Sequence, residues 1–365
     1  MKNYTCIFPG LYNYNLTKDV GMIPYTLSDR YDTHIVTYDN DEYFYLDEKM
    51  KSDNFSLEFI QNTGNQKRDV LEYLKTNSKE IDVLQLYHLN YNLILSYIVC
   101  YKLRNRSGKT YLKLDANNEI IDFLIKRKGI LPSLRRLYAK FIFGMIDVIS
   151  IETRRNYELL GNFISKDKLL YIPNGIRKSD NRLDDKENRI LYVGYIEKKN
   201  KSIDLLIDAF SKCISDDWKL ILIGKVEEDM EEFLNDLFEN NPELKEKIIL
   251  KGYIWDKETL SEEYAKSRIY CCTSHSESFG ISTLEAAYFA NYIISTDVGA
   301  SGDIIEKTHY GEIIEHNEKS LQNALQNAMN SLDEIAVNPY KIQETVYDNF
   351  NWEVICDKII EKIEE

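Results

Sequence analysis

The chain has 365 residues, 44% of them apolar and 29% charged, with a net charge of -14. That is enough for two or three domains with packed cores, and it excludes wholesale disorder. The acidic balance argues against bulk nucleic-acid binding, which wants an excess of Lys and Arg. No stretch approaches the ~18 uninterrupted apolar residues of a spanning helix. The apolar run near the N-terminus, Tyr4 to Phe8, is too short for a secretory signal, so a cytoplasmic location is expected. Cys6, Cys100, Cys213, Cys271, Cys272 and Cys356 show no CxxC or Cys/His ligand spacing. Reduced buried thiols are therefore expected in place of disulfides or structural zinc.

In chain order, Tyr4–Phe8 reads as a strand, followed by a loop with Gly10 and Gly21 and a short helix over Met22–Arg30. Thr33–Tyr38 is a second strand. Further apolar runs at Ile81–Leu86, Thr110–Leu114 and Val148–Ile151 alternate with helical patterns. Strands alternating with helices predict a parallel sheet covered on both faces.

A break follows. Leu169 to Gly175 ends a strand in a Pro-Asn-Gly turn, and a polar run covers Arg177–Arg189. The alternation then restarts with strands at Arg189–Val193, Trp218–Ile223, Lys247–Leu250, Arg268–Thr273 and Tyr292–Thr296. Helices are predicted over Ser202–Cys213, Met230–Phe238, Ile281–Ala290 and Leu321–Met329, and a last one over Trp352–Ile363. Gly194, Gly224 and Gly252 each follow a strand, at the carboxyl ends where open parallel sheets bind ligands. The domains are expected at 1–173 together with 350–365, and at 188–345, joined by a linker at 174–187.

The sharpest segment runs from Ser274 through Glu277, Ser278, Phe279, Gly280, Ile281 and Ser282 to Glu285. It leaves a strand, turns at Gly280 and enters a helix. The free N–H groups of Gly280, Ile281 and Ser282 suit a phosphate, favoured by unpaired donors and the helix dipole. Glu277 and Glu285, eight residues apart, flank such a phosphate from two sides. This arrangement suits a sugar nucleotide, one carboxylate accepting from ribose and the other from the sugar. Taken alone, such a pair is far more often a capping pair on an ordinary surface helix.

This segment resembles the Glu-x7-Glu motif of the family-4 retaining glycosyltransferases of the GT-B fold. Other stretches resemble that family in the right order: Tyr171–Gly175, Ile190–Gly194 followed by Lys201 and Asp204–Phe210, Thr296–Ala300, and Phe350–Trp352. The resemblance implies an α/β protein of two facing Rossmann-like domains with a cleft between them, its C-terminal helix returning to the first domain. It implies a nucleotide-sugar-dependent hexosyltransferase that retains anomeric configuration and needs no divalent metal or other cofactor. The donor would be a UDP- or GDP-sugar, and the acceptor a hydroxyl of a cell-surface glycan, a lipid-linked glycan or a protein. Lys201 would neutralise the donor diphosphate, Gly21 would let the first-domain loop approach it, and Ile254 would flank the nucleobase. Gly194, Tyr195, Gly224, Ser278, Phe279, Gly280, Ile281, Ser282 and Glu285 would complete the donor site.

Two positions depart from the family pattern. Tyr195 stands where an Arg is common, so charge on the leaving group falls more heavily on Lys201 and the helix start. Asp115 stands where many members place a His near the reacting carbon. A carboxylate there would support positive charge on the sugar ring or take the acceptor proton, and is otherwise a turn residue. His88 and His275 are further candidates to line the site. With Lys201 and Glu277, Asp115 completes the expected catalytic set. A catalytically silent subunit that presents an acceptor to an active partner is the main alternative, and an epimerase or phosphorylase on the same fold is another. Hydrolysis by the carboxylate pair is disfavoured, because a hydrolase has no diphosphate to hold. A nicotinamide dehydrogenase is disfavoured because no GxGxxG follows the first strand of either half.

Between Tyr101 and Lys140 stand eleven cations and three acids. Within that region and just beyond it, Ile121–Ile146 mixes Phe123, Leu124, Ile125, Leu134, Leu137, Phe141 and Ile142 with six cations. Such a surface suits peripheral docking on an anionic membrane, or equally a helix with one buried and one solvated face.

Overall fold

The computed structural model describes residues 1–88, 90–183, 185–213, 217–332 and 337–365, apart from the side chains of Asp47 and Phe123. Two units divide the chain: Met1–Gly175 with Phe350–Glu365, and Ile176–Asn349.

The first unit contains β1 (Lys2–Ile7), α1 (Asp19–Leu27), β2 (Tyr31–Thr37), α2 (Phe44–Lys49), β3 (Phe55–Phe59), α3 (Gln66–Asn77) and β4 (Val83–Tyr87). It continues with α4 (Tyr91–Arg104), β5 (Lys109–Leu114), α5 (Asn118–Lys126), α6 (Ile130–Gly144), β6 (Val148–Ile151), α7 (Arg154–Leu160) and β7 (Leu169–Tyr171). The strands form one sheet in the order β3-β2-β1-β4-β5-β6-β7, and every pairing is parallel. Helix starts are marked in the sequence: Asn65, Asn90, Asn117 and Thr153 each accept a hydrogen bond from a first-turn N–H of α3, α4, α5 and α7.

Both faces of this sheet are covered, and the period of two divides them. Leu84, Leu86, Leu112, Leu114, Ile149 and Ile151 face the core beneath α3 to α7. Their neighbours Val83, Tyr87, Tyr111 and Val148 face a second core shared with α1 and the C-terminal helix. That second face is partly polar. Tyr4 Oη donates to Gln85 Oε1 at 2.7 Å, Gln85 Nε2 donates to Tyr87 Oη at 2.8 Å, and Tyr87 Oη donates to the Asp19 carbonyl at 3.1 Å.

The second unit contains β8 (Glu187–Val193), α8 (Ile203–Ser211), β9 (Lys219–Ile223), α9 (Glu228–Asn240), α10 (Leu244–Lys247), β10 (Ile248–Gly252), α11 (Lys257–Lys266) and β11 (Ser267–Cys272). After these come α12 (Ile281–Tyr288), β12 (Tyr292–Thr296), α13 (Ser301–Thr308), β13 (Gly311–Ile314), α14 (Glu318–Ser331) and α15 (Pro339–Phe350). Its strands are again all parallel, in the order β10-β9-β8-β11-β12-β13.

The final helix, α16 (Trp352–Glu364), belongs to the first unit. Trp352, Ile355, Cys356, Ile359, Ile360 and Ile363 recur at helical spacing and are all buried, so the apolar stripe docks beside α1. Asn351 caps the helix, its side chain accepting from the Val354 N–H at 2.8 Å. The residues read as a linker are tied to the second unit instead. Ser179 N donates to Tyr288 Oη at 2.9 Å, and Lys186 Nζ donates to the carbonyls of Ser267 and Phe289 at 2.7 and 2.8 Å.

Some expectations shift. The first helix begins at Asp19, not Met22, which places Gly21 inside α1 and not in a loop. Gly21 is buried there, and a β-carbon on it would run into the backbone of Leu16. Close helix-to-turn packing accounts for this glycine. β3 and α2 were not foreseen; β3 is the sheet edge, and Ser56 and Glu58 break the apolar run that would mark a buried strand.

Candidate functional site

In the second unit the strand order reverses direction between β8 and β11, which lie side by side. Loops leaving the carboxyl ends of such neighbouring strands diverge and leave a crevice where ligands settle. Gly194 to Lys201 leaves β8, and Thr273 to Gly280 leaves β11.

The two loops are joined. His275 N donates to the Asn200 carbonyl at 2.7 Å, Asn200 Nδ2 donates to the Ser276 carbonyl at 3.2 Å, and Thr273 Oγ1 donates to the Lys201 carbonyl at 2.8 Å. At their centre Lys201 Nζ stands 2.5 Å from Glu277 Oε1, and the Ser274 hydroxyl donates to the same oxygen at 2.7 Å. The side chains of Lys201 and Glu277 are 17% and 20% exposed, so water still reaches both. His316 reinforces the loops from behind. Its Nε2 lies 3.0 Å from both Ser202 Oγ and the Thr273 carbonyl, and its ring stacks on His275 at 3.9 Å.

Gly280 opens α12 with φ +88°, a conformation that favours glycine, and its carbonyl accepts from Thr283 N at 3.0 Å. The N–H groups of Ile281 and Ser282, the first two of α12, have no acceptor within the helix. They present a partial positive charge at the crevice. Ser278 is half-buried in the loop and Phe279 is buried beneath it. The Phe279 carbonyl accepts from Ala300 N at 2.8 Å, which brings the 296–300 loop against the same turn. The buried hydroxyl of Ser276 has no hydrogen-bond partner. Ser282 is held by Tyr270, whose hydroxyl donates to Ser282 Oγ at 2.7 Å.

Glu285 lies one turn inside α12, with both carboxylate oxygens engaged. Lys257 Nζ is 3.1 Å from Oε1, and Tyr264 Oη donates to Oε2 at 3.0 Å. Two neutral or cationic donors fix its rotamer and leave lone pairs open, since a carboxylate accepts about four hydrogen bonds. Tyr195 is 59% exposed just past β8, with its carbonyl accepting from Tyr192 Oη at 2.8 Å. Gly224 follows β9 so closely packed that a β-carbon on it would run into the Gly194 carbonyl. Ile254 is half-buried after β10 between exposed Tyr253 and Trp255, whose rings meet edge to face at 4.4 Å.

The first unit reverses its strand order between β1 and β4. There His88, with φ +62°, follows β4, and Asp115 follows β5, with His88 Nδ1 3.7 Å from Asp115 Oδ2. The two line a cavity of about 550 Å³ together with Asn90, Tyr91, Ile120, Leu124, Pro132 and Arg135. Leu89, next to His88, lies outside the described residues.

β5, the strand that leads to Asp115, carries part of a cluster that sequence reasoning missed. Lys113, fully buried on β5, places Nζ 2.5 Å from Glu152 Oε1 and 3.4 Å from Asp19 Oδ2. Burial works against the ammonium, but the two carboxylates outweigh it and hold the Lys113 pKa up. Burial also pushes the Glu152 carboxyl upward, against the pull of Lys113, because one ammonium serves two acids. A lysine inside an apolar strand run is the only sequence signal for this cluster. Among the described residues no group of three or more His, Cys, Asp or Glu is placed to hold a metal ion.

Two parallel sheets, each reversing its strand order once, with a lysine, a carboxylate and a helix start at the crevice of the second, are the arrangement of the GT-B fold. Residues 175–341, nearly the whole of the second unit, match the family model of the glycosyl transferases group 1. Among curated proteins, a probable sucrose-phosphate synthase of Thermosipho melanesiensis is 26% identical over 208 residues, 55% of this chain and 48% of that protein. The matched region thus spans about half the length of that relative.

Solved structures extend the likeness to the whole chain. A glycosyltransferase from Rickettsia africae aligns with TM-score 0.75 at 18% identity, over 100% of this chain and 98% of that one. Sucrose-phosphate synthase from Thermosynechococcus elongatus aligns at 0.72 and 16%, over 99% and 98%. Anabaena HepE in complex with UDP-glucose aligns at 0.70 and 14%, over 100% of both chains. At these identities the likeness shows the fold, which is GT-B.

Proposed function

We propose that the protein is a retaining glycosyltransferase that moves a hexose from a nucleoside-diphosphate sugar to an acceptor hydroxyl. The observation that carries this reading is the Lys201–Glu277 pair beside the start of α12. The ammonium and the first-turn amides bind and stabilise a diphosphate leaving group, the task a divalent metal performs in other transferases. No resident metal or cofactor is part of the proposal.

Glu277 orients Lys201 and accepts from hydroxyls of the donor sugar, while Glu285 accepts from the ribose. Ile254 and its aromatic neighbours flank the base. The UDP-glucose bound in the Anabaena HepE complex favours a UDP-sugar here. In the first unit, Asp115 with His88 takes the proton of an acceptor hydroxyl held in their cavity. That cavity pairs apolar walls (Ile120, Leu124, Pro132) with one arginine, which suits an amphipathic, lipid-linked glycan better than a free sugar. The sugar's bond to the diphosphate oxygen breaks, and a bond to the acceptor oxygen forms on the same face of the ring.

Calorimetry with UDP, GDP and their sugars on the full chain tests this. One nucleotide should bind, and Glu285→Ala should weaken it about tenfold, the effect of losing hydrogen bonds to a charged group. If no nucleoside diphosphate binds, the donor reading fails and an acceptor-presenting silent subunit takes its place.

A further inference from the structure

α6 carries two apolar stripes on opposite sides. Ala139, Ile142 and Phe143 are buried in the core of the first unit, which accounts for one stripe. Ile130, Leu134, Leu137, Tyr138 and Phe141 recur at i, i+4, i+7, i+8 and i+11 and form the other. This second stripe faces solvent: Ile130 is 83% exposed, Leu134 57%, Leu137 66% and Phe141 59%. An amphipathic helix serving only its own core would put polar residues there.

The charge around the stripe has one sign. Between Asp122 and Asp147 there is no carboxylate, while Arg127, Lys128, Arg135, Arg136 and Lys140 lie there; Lys126 is paired with Asp122 at 2.9 Å. Most of these cations are exposed along the α5–α6 turn and α6 itself. A chain of net charge -14 thus concentrates its cations around its most exposed apolar side chains.

We infer that α6 is a membrane-docking helix whose outer stripe enters the interface of an anionic bilayer, with the surrounding cations on lipid phosphates. The apolar arc and the cations act together, because an apolar stripe alone has no preference for anionic lipid. A second copy of this chain is a poorer occupant: two such faces would bring like charges together. The same helix lends Pro132 and Arg135 to the wall of the His88–Asp115 cavity, so an acceptor anchored in the bilayer meets that cavity at the membrane surface.

The test needs no turnover, so it stands apart from the donor reading. The full chain is floated with vesicles of phosphatidylcholine alone or with one third phosphatidylglycerol. Flotation is expected with the anionic vesicles only, lost at 0.5 M salt, and reduced at least tenfold in Leu134→Glu/Leu137→Glu. Those positions are exposed, so the variant should keep the wild-type melting temperature; a Phe141→Ser variant gives a milder second reading. Absent flotation, or flotation indifferent to both variants, would overturn the inference. So would sedimentation showing a dimer that the Leu134→Glu/Leu137→Glu variant dissociates.

Discussion

Lys201 and Glu277 stand 2.5 Å apart although 76 residues separate them in the chain. The pair holds each side chain in one rotamer at the mouth of α12, with Ser274 sharing the load on Glu277. Under the proposed function, an ammonium fixed in this way would lose little freedom on binding a diphosphate, which is where preorganised charge is most effective.

Replacing Lys201 by Ala should therefore lower kcat/KM for the nucleotide-sugar by two orders of magnitude or more, about 3 kcal/mol of transition-state stabilisation. Lys201→Arg should fall between, keeping the charge but not the point geometry. Steady-state kinetics with the donor found by calorimetry check this. Turnover within threefold of wild type in Lys201→Ala would place the diphosphate elsewhere.

Asp147 offers a pH-dependent prediction of stability. Its Oδ2 accepts from Lys102 Nζ at 2.7 Å and from the N–H and hydroxyl of Thr110, both at 2.8 Å. Burial works against the carboxylate, but these donors outweigh it and hold its pKa below the ordinary 3.8. A depressed folded pKa gives stability that is complete above the unfolded value and lost as pH falls through the folded one. Asp147→Asn should therefore cost about 2 kcal/mol at pH 7. The gap to wild type should narrow as pH falls below about 4, where the unfolded carboxyl protonates, and close only below the lower folded pKa. Urea denaturation at pH 7, 5 and 3 measures it; a gap that stays constant would remove the charge-based account.

Gly224 should tolerate no side chain. A β-carbon there meets the Gly194 carbonyl, which is backbone and cannot swing aside. Gly224→Ala should destabilise the protein by about 2–3 kcal/mol, within the range of named local strain. It should also weaken nucleotide binding, because Gly194 sits at the end of β8 beside the crevice. Gly302→Ala, where a β-carbon meets nothing, is the control and should leave the melting temperature unchanged. Equal melting temperatures for the two variants would contradict the packing argument.

Much was legible in the chain itself. Strand and helix alternation and turn glycines are local signals, so they marked the two sheets, the Glu277–Glu285 spacing, the α12 start and α16. The α1 boundary was missed because Asp19 and Gly21 look like loop residues until Leu16 packs on them. The edge strand β3 was missed because half its side chains face water.

Sequence by itself determined the α/β class and the spacing of Glu277 and Glu285, since both rest on patterns within short windows. Only the tertiary structure decided which charges meet. The pairing of Lys201 with Glu277, the burial of Lys113 between Asp19 and Glu152, and the closeness of His88 to Asp115 each join separate elements. It also decided which of the two apolar stripes on α6 is covered, because burial depends on what packs against a helix and not on the helix's own pattern.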